Sequence, residues 1–145
     1  MKRFCILIAD RNRHVREFLR RELMLAGYLV EVAKDGREVM KMTCAGNPPD
    51  LLILDLDLPY ISGLSILEEL QESGSPLPVI VHTFHVEWIK HPAVQRAAGF
   101  WEKRGNNIQG FKETVAQVLG KWYPRRVPPG LEASQQEAEQ SIGTG

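Results

Sequence analysis

Four polar residues that follow short apolar runs are the best candidates for chemistry in this sequence. Asp10 and Asp55 each come directly after an apolar run, and Thr83 and Lys103 close two later ones. A pair of carboxylates favours a hard divalent cation such as Mg²⁺. A hydroxyl and an ammonium beside that pair suit a tetrahedral dianion, because both donate hydrogen bonds to its oxygens. If the fold brings the four together, they suit the placing of a phosphoryl group on a carboxylate.

The apolar runs that precede these residues are typical of strands buried on both faces of a parallel sheet. Residues 4–9 and 51–54 are wholly apolar, and further strands are predicted at residues 79–82 and 100–102, the last being short and ending in Glu102. A fifth strand is predicted at residues 29–33, where Glu31 indicates a less buried edge.

Amphipathic helices are predicted between the strands. Asn12 begins the first as an N-cap and Gly27 ends it, Asp35 caps a second over residues 36–44, and the last covers residues 108–122. A third carries Leu64, while residues 86–98 are irregular, with Pro92 either interrupting them or beginning a short helix. Alternation of strands and helices predicts an α/β fold with helices on both faces of a parallel sheet. The carboxyl ends of its strands meet at one edge, where ligands bind in such sheets.

Composition predicts one ordinary soluble domain. The 145 residues include 18 basic and 18 acidic ones, so no net charge argues for binding to nucleic acid or to a membrane surface. No apolar stretch is long enough to span a bilayer. Cys5 and Cys44 are too few for a disulfide framework, and free thiols fit a cytoplasmic protein.

Over about residues 3–122 the sequence resembles the receiver domain of two-component response regulators. The resemblance is carried by Ile-Leu-Ile-Ala-Asp at 6–10, Asp-Leu-Leu-Ile-Leu-Asp at 50–55 with Leu58-Pro59 and Gly63, Val-Ile-Val-His-Thr at 79–83, and Phe-Trp-Glu-Lys at 100–103. It implies a doubly wound, five-stranded parallel sheet in the order 2-1-3-4-5, the flavodoxin-like receiver fold.

The resemblance also implies roles at the sheet edge. Asp55 would be the phosphoacceptor, phosphorylated by a sensor histidine kinase or a phosphotransfer protein. Asp10, Asp55 and Asp57 would hold Mg²⁺, with Asp57 using its backbone carbonyl and its carboxylate also within reach. Thr83 and Lys103 would be catalytic, holding the phosphoryl oxygens.

Thr83 and Phe100 would form the switch that responds to phosphorylation, with Trp88 and Trp101 as fluorescent reporters. No cofactor besides Mg²⁺ is expected, and no enzyme activity beyond the domain's own phosphotransfer and autodephosphorylation.

The receiver domain is expected over residues 1–123 and a polar tail over residues 124–145, in which residues 131–141 can form one weak helix. No output domain is expected in this tail, so output should pass through contact with a downstream protein rather than through direct binding to DNA. The sequence does not identify the kinase, the downstream partner or the oligomeric state.

Three residues depart from the family pattern. Arg11 stands where the family usually has a second acidic residue, which should weaken Mg²⁺ binding. Phe84 follows the threonine where a small residue is usual. Arg104 replaces a proline that usually follows a cis bond; a trans bond and a reshaped loop at residues 105–107 are expected, because a cis bond before other residues costs ~3–4 kcal/mol.

These departures leave two classes of function open. Arg11 and Phe84 favour a degenerate receiver that binds proteins without being phosphorylated, whereas the intact Asp55, Thr83 and Lys103 favour a working one.

Two other kinds of site are disfavoured. A flavin-binding domain lacks support, since Arg-Asn-Arg at 11–13 replaces the glycine or hydroxyl residues of a phosphate-binding loop. His82, His85 and His91 have irregular spacing, so packed or solvated histidines are expected rather than a metal site.

Overall fold

Five parallel strands form one sheet in the computed structural model, which describes residues 3–105 and 107–129. They are β1 (Cys5–Ala9), β2 (Leu29–Ala33), β3 (Leu51–Leu54), β4 (Val79–Thr83) and β5 (Gly99–Glu102). Their order across the sheet is β2-β1-β3-β4-β5, and every neighbouring pair is parallel. The predicted fold and strand order are therefore confirmed.

Helices occupy the connections between the strands. They are α1 (Arg13–Leu25), α2 (Gly36–Thr43), α3 (Gly63–Glu72), α4 (Pro92–Gln95) and α5 (Ile108–Trp122). Asn12 caps α1 and Asp35 caps α2 through side-chain oxygens that accept backbone N–H groups, as predicted. The irregular segment is a 3-10 helix over Val86–Lys90 and then the single turn of α4, which Pro92 begins. Nowhere in the part of the chain described is a helix long and apolar enough to cross a membrane.

The sheet separates two apolar layers, because successive side chains of a strand point to opposite faces. One layer joins alternate residues of β1, β3 and β4 to α1 and α5; it includes Ile8, Ile53, Ile80, Leu23, Phe111 and Val115. The other faces α2, α3 and α4 and includes Leu7, Leu54, Val81, Ile66, Leu67 and Val94. Burial on both faces explains why these strands read as unbroken apolar runs, whereas β2 at the edge exposes Leu29 and Glu31.

Residues after α5 fold back over the amino-terminal edge of the sheet. The Tyr123 hydroxyl donates to the backbone carbonyl of Asp50 at 2.7 Å. The Arg126 guanidinium lies 3.1 Å from the Asp50 carboxylate and 3.8 Å from the centre of the Phe4 ring. The same carboxylate accepts the Cys5 N–H at 2.8 Å. The helix predicted at residues 131–141 lies outside the described residues.

Candidate functional site

Lys103 joins two buried carboxylates at the carboxyl edge of the sheet. Its ammonium lies 2.5 Å from Asp10 Oδ2 and 3.1 Å from Asp55 Oδ2. The β1–β3 register pairs Ala9 with Leu54, so the residues that follow them stand side by side. β5 lies two strands away from β3, about 10 Å at the usual strand spacing. The lysine side chain covers most of that distance, and the aspartate side chain covers the rest.

Backbone groups fix the orientation of both carboxylates. Asp10 Oδ1 accepts the N–H of Asn12 at 2.8 Å, and Asp55 Oδ1 accepts the N–H of Asp57 at 3.0 Å. The Arg16 guanidinium donates to the Asp10 backbone carbonyl at 2.7 Å. Each carboxylate thus has one oxygen held by an amide, and both Oδ2 atoms turn toward the ammonium.

The charges of this cluster leave a negative surplus in a buried place. Burial raises the pKa of the Asp10 carboxyl above its ordinary value, and the hydrogen bond and charge of Lys103 oppose that rise. Two carboxylates against one ammonium favour a further cation. The described residues contain no cluster of three or more His, Cys, Asp or Glu side chains that could hold a metal. Mg²⁺ nevertheless fits, because it commonly takes one or two carboxylates and completes its octahedron with water and other oxygens.

The Asp57 carboxylate contacts a histidine at the edge of the site. It is 46% exposed and lies 3.3 Å from His85 Nε2, whose other ring nitrogen is 3.5 Å from Glu87. Asp57 therefore contributes its N–H to Asp55 while its carboxylate faces the loop after β4.

Thr83 ends β4 and is fully buried. Its hydroxyl accepts the N–H of His85 at 3.1 Å, and its backbone carbonyl accepts the N–H of Lys103 at 2.9 Å. The threonine and the lysine are thus tied together through the backbone at the ends of neighbouring strands.

Phe100 and Trp101 face opposite sides of β5. Phe100 is half-buried in the layer that contains α4 and Trp88. Trp101 packs in the other layer, with its ring 5.7 Å from that of Phe111. The switch candidate Phe100 therefore shares a layer with Trp88, and Trp101 lies on the opposite side of the sheet.

The three unusual residues surround the site without entering the carboxylate cluster. Arg11 is exposed. The Phe84 ring is half-exposed, and the Lys103 ammonium lies 5.3 Å from its centre. The bond before Arg104 is trans, as expected, since the described residues contain no cis peptide.

Two glycines place the loops around Asp55. A Cβ at Gly63 would overlap the Asp55 carbonyl oxygen, and one at Gly36 would overlap the Ile61 carbonyl oxygen. The sequence indicates Gly63 only as a turn residue. The close approach depends on how α3 returns to β3, for which the sequence carries no direct signal.

The sequence analysis gave one buried histidine no functional role. His82 is 6% exposed, and its ring lies 5.6 Å from that of Phe111. Burial, with the nearby Lys103 charge, lowers its pKa to about 3. The imidazole is therefore neutral over the ordinary pH range.

Comparison with known proteins gives a consistent result. The chain matches the response regulator receiver domain family over residues 6–109. It is 44% identical over 78 residues to the response regulator MprA of Mycolicibacterium vanbaalenii, covering 54% of this chain and 33% of that protein. MprA of Mycobacterium ulcerans is 45% identical over 78 residues, which again cover 54% of this chain and 33% of that protein. The chain thus spans about a third of the length of these curated relatives.

Solved structures show the same fold. The response regulator TrrA of Thermotoga maritima, solved in complex with Mg²⁺ and BeF, superposes with a TM-score of 0.73 at 30% identity, over 79% of this chain and 98% of that one. A CheY-like receiver domain of Methanospirillum hungatei gives 0.74 at 20% identity, over 86% of this chain and 100% of that one.

Proposed function

The chain belongs to the response regulator receiver domain family, and on that premise we propose that Asp55 is the phosphoacceptor of a two-component phosphorelay. A sensor histidine kinase or a phosphotransfer protein in the cytoplasm donates the phosphoryl group. The observation that carries this proposal is the buried contact of Asp55 with Lys103, beside Asp10, at the end of a central strand.

The contacts support a part for each side chain in the proposed transfer. A carboxylate oxygen of Asp55 attacks phosphorus, the bond from phosphorus to the donor imidazole breaks with its electrons left on nitrogen, and an acyl phosphate forms. The N–H of Asp57 holds Oδ1, so Oδ2, on the lysine side, is the attacking atom. Lys103 then pairs with a phosphoryl oxygen, and Thr83 donates its hydroxyl to another. Positioning and charge neutralisation of this kind account for most catalysis of phosphoryl transfer.

Asp10 and Asp55 would hold Mg²⁺ with their carboxylates, and Asp57 with its backbone carbonyl. The bound ion would neutralise charge on the phosphoryl oxygens. The Mg²⁺ and BeF in the structure of the 30% identical TrrA support this choice of metal. Arg11, close in sequence to Asp10 and exposed to solvent, makes the binding weak.

The domain catalyses its own dephosphorylation. Water attacks phosphorus, the Asp55 carboxylate is the leaving group, and inorganic phosphate is released. The output is a change of surface around Phe100 and α4 that a downstream protein binds. No separate enzyme activity and no direct binding to DNA is proposed.

A degenerate receiver that binds proteins without phosphate is the second candidate. It is favoured by the covering of the acceptor, since the Asp55 side chain is only 3% exposed and the Phe84 ring lies near Lys103. In this case the carboxylate cluster serves only to hold the strand ends together.

Intact-protein mass spectrometry after incubation with acetyl phosphate or phosphoramidate and Mg²⁺ decides between the two. We expect a gain of one phosphate that Asp55→Asn abolishes. Asp50→Asn, at the opposite edge of the sheet, is the control and should keep the gain. An unchanged mass with both donors and with a histidine kinase would favour the degenerate receiver, which binds proteins without being phosphorylated.

A further inference from the structure

A cavity of about 180 Å³ opens beside the carboxylate cluster, between α1, β5 and the start of α5. Its walls are mainly apolar and aromatic, and include Phe18, Leu19, Phe84, Trp101, Ile108 and Phe111. Lys103 forms the wall that the cavity shares with the carboxylate cluster, while Asp10 and Asp55 do not line it. The cavity is therefore a neighbouring space and not part of the proposed phosphorylation site.

His82 is the buried polar group of this cavity. It lines the cavity, is 94% buried, and has no hydrogen-bond partner among the residues that the structure describes. A neutral imidazole carries one N–H donor and one nitrogen acceptor. A molecule that enters the cavity displaces water from these nitrogens, so one that offers them a hydrogen bond binds more tightly than one that does not.

Charge at the walls favours an uncharged occupant. The Lys103 ammonium is already paired with Asp10 and Asp55, so it has little attraction left for an anion. Glu102 adds a negative charge at the same wall. A cation would lose much of its hydration against the mainly apolar walls.

Size and wall chemistry narrow the occupant further. An apolar cavity of about 150 Å³ in another protein takes up benzene, so this one holds a single ring or a small fused pair. Trp101 and Phe111 offer ring faces and edges, against which flat aromatic molecules pack favourably.

We propose that this cavity binds a neutral, planar heteroaromatic molecule of one or two rings, whose ring nitrogen forms a hydrogen bond with His82. The site goes beyond the proposed phosphotransfer, and its test does not depend on phosphorylation.

Benzimidazole is a suitable probe, because it is flat, uncharged at slightly alkaline pH, and carries both a donor and an acceptor. Indene has the same shape without either group. Titration of each into the labelled protein should produce saturable shifts at the backbone amides of Leu19 and Ile108 and at the indole N–H of Trp101. His82→Leu should weaken benzimidazole binding by about tenfold, the effect of one neutral hydrogen bond, and leave indene binding unchanged.

Two further variants locate the site. Val15→Phe should fill the cavity, since Val15 lines it, and abolish the binding of both probes. His14→Leu, on the exposed surface of α1, should leave both affinities unchanged. Absence of saturable shifts in the unmodified protein, benzimidazole affinity that His82→Leu does not change, or binding that survives Val15→Phe would each overturn the proposal.

Discussion

The Asp57 carboxylate lies 3.3 Å from the His85 imidazole, so the loop after β3 is joined to the loop after β4 at the edge of the proposed phosphorylation site. His85 also donates its backbone N–H to the Thr83 hydroxyl. One histidine thus contacts both the residue two positions after Asp55 and the threonine of the proposed switch.

This contact predicts competition between His85 and Mg²⁺ for the Asp57 carboxylate. His85→Ala should tighten Mg²⁺ binding by up to about fivefold, because an exposed pair of this kind is worth no more than about 1 kcal/mol. Asp57→Asn should weaken binding, and in the double variant His85→Ala should have no effect. Isothermal titration of the four proteins measures this. Equal affinities would show that Asp57 contributes its backbone carbonyl alone.

Replacement of Arg11 by an acidic residue should strengthen the metal site. A unit charge ~6 Å from a divalent ion interacts with it by about 1.4 kcal/mol in water, so Arg11→Asp should tighten Mg²⁺ binding by at least about tenfold. Arg13→Asp, also exposed but on α1, is the control and should have a smaller effect. An effect of Arg11→Asp no larger than that of the control would place the Arg11 charge away from the metal.

Removal of the Phe84 ring should speed phosphorylation by small donors. The ring lies near Lys103 and the Asp55 side chain is almost covered, so Phe84→Ala should open the approach and raise the rate severalfold. The measurement is the time course of the mass gain with acetyl phosphate. Tyr60→Ala removes another exposed ring, one that contacts Arg37, and should leave the rate unchanged. An unchanged or slower rate with Phe84→Ala would show that the ring does not limit access.

The proposed switch should be reported by Trp88 and not by Trp101. Phe100 and Trp88 share one layer, so movement of Phe100 after Thr83 shifts toward phosphate alters the surroundings of Trp88. With Trp101 and Trp122 replaced by Phe, beryllofluoride and Mg²⁺ should change Trp88 fluorescence, and Thr83→Ala should remove most of the change. A protein that keeps Trp101 alone is the control. A response from Trp101 alone would place the change on the α5 side.

Burial of neutral His82 should make the fold sensitive to acid. Its pKa is near 6.5 when unfolded and about 3 when folded, so the unfolded state binds more protons between those values. As far as His82 is concerned, the free energy of unfolding should therefore be constant above pH ~6.5. Below that pH it should fall by about 1.4 kcal/mol per pH unit. The raised pKa of Asp10 has the opposite effect, because protonation of this carboxyl at acid pH stabilises the folded state.

Urea unfolding at about pH 7.5 and about pH 5 tests this. His82→Leu should remove most of the difference between the two conditions, about 2 kcal/mol, and His14→Leu should keep it. An unchanged difference in His82→Leu would assign the acid sensitivity to other groups.

Much of this arrangement follows from local sequence. The strands β1, β3 and β4 are apolar along their whole length because both faces are covered, and a polar residue follows each run where the chain reaches the edge. The sequence alone therefore predicts that Asp10, Asp55 and Lys103 lie together. The shortness of α4 could be foreseen only in part: Pro92 fixes where the turn begins, but the helix formers Ala97 and Ala98 lie beyond its end at Gln95.

Other features depend on segments that are distant in sequence. The contact of Asp57 with His85 and the cavity at His82 require the relative placement of loops and helices, which no short pattern encodes. The same holds for Gly36, where any side chain would clash with Ile61 in another loop.

The contacts of Asp50 bear on how the chain folds during synthesis. Asp50 lies in the first half of the sequence, but its partners Tyr123 and Arg126 are among the last residues of the described chain to be translated. At ~5–20 residues per second, several seconds pass between them. During that interval the edge of the nascent sheet beside Phe4 and Asp50 lacks its cover, so this edge is among the last parts of the domain to be completed.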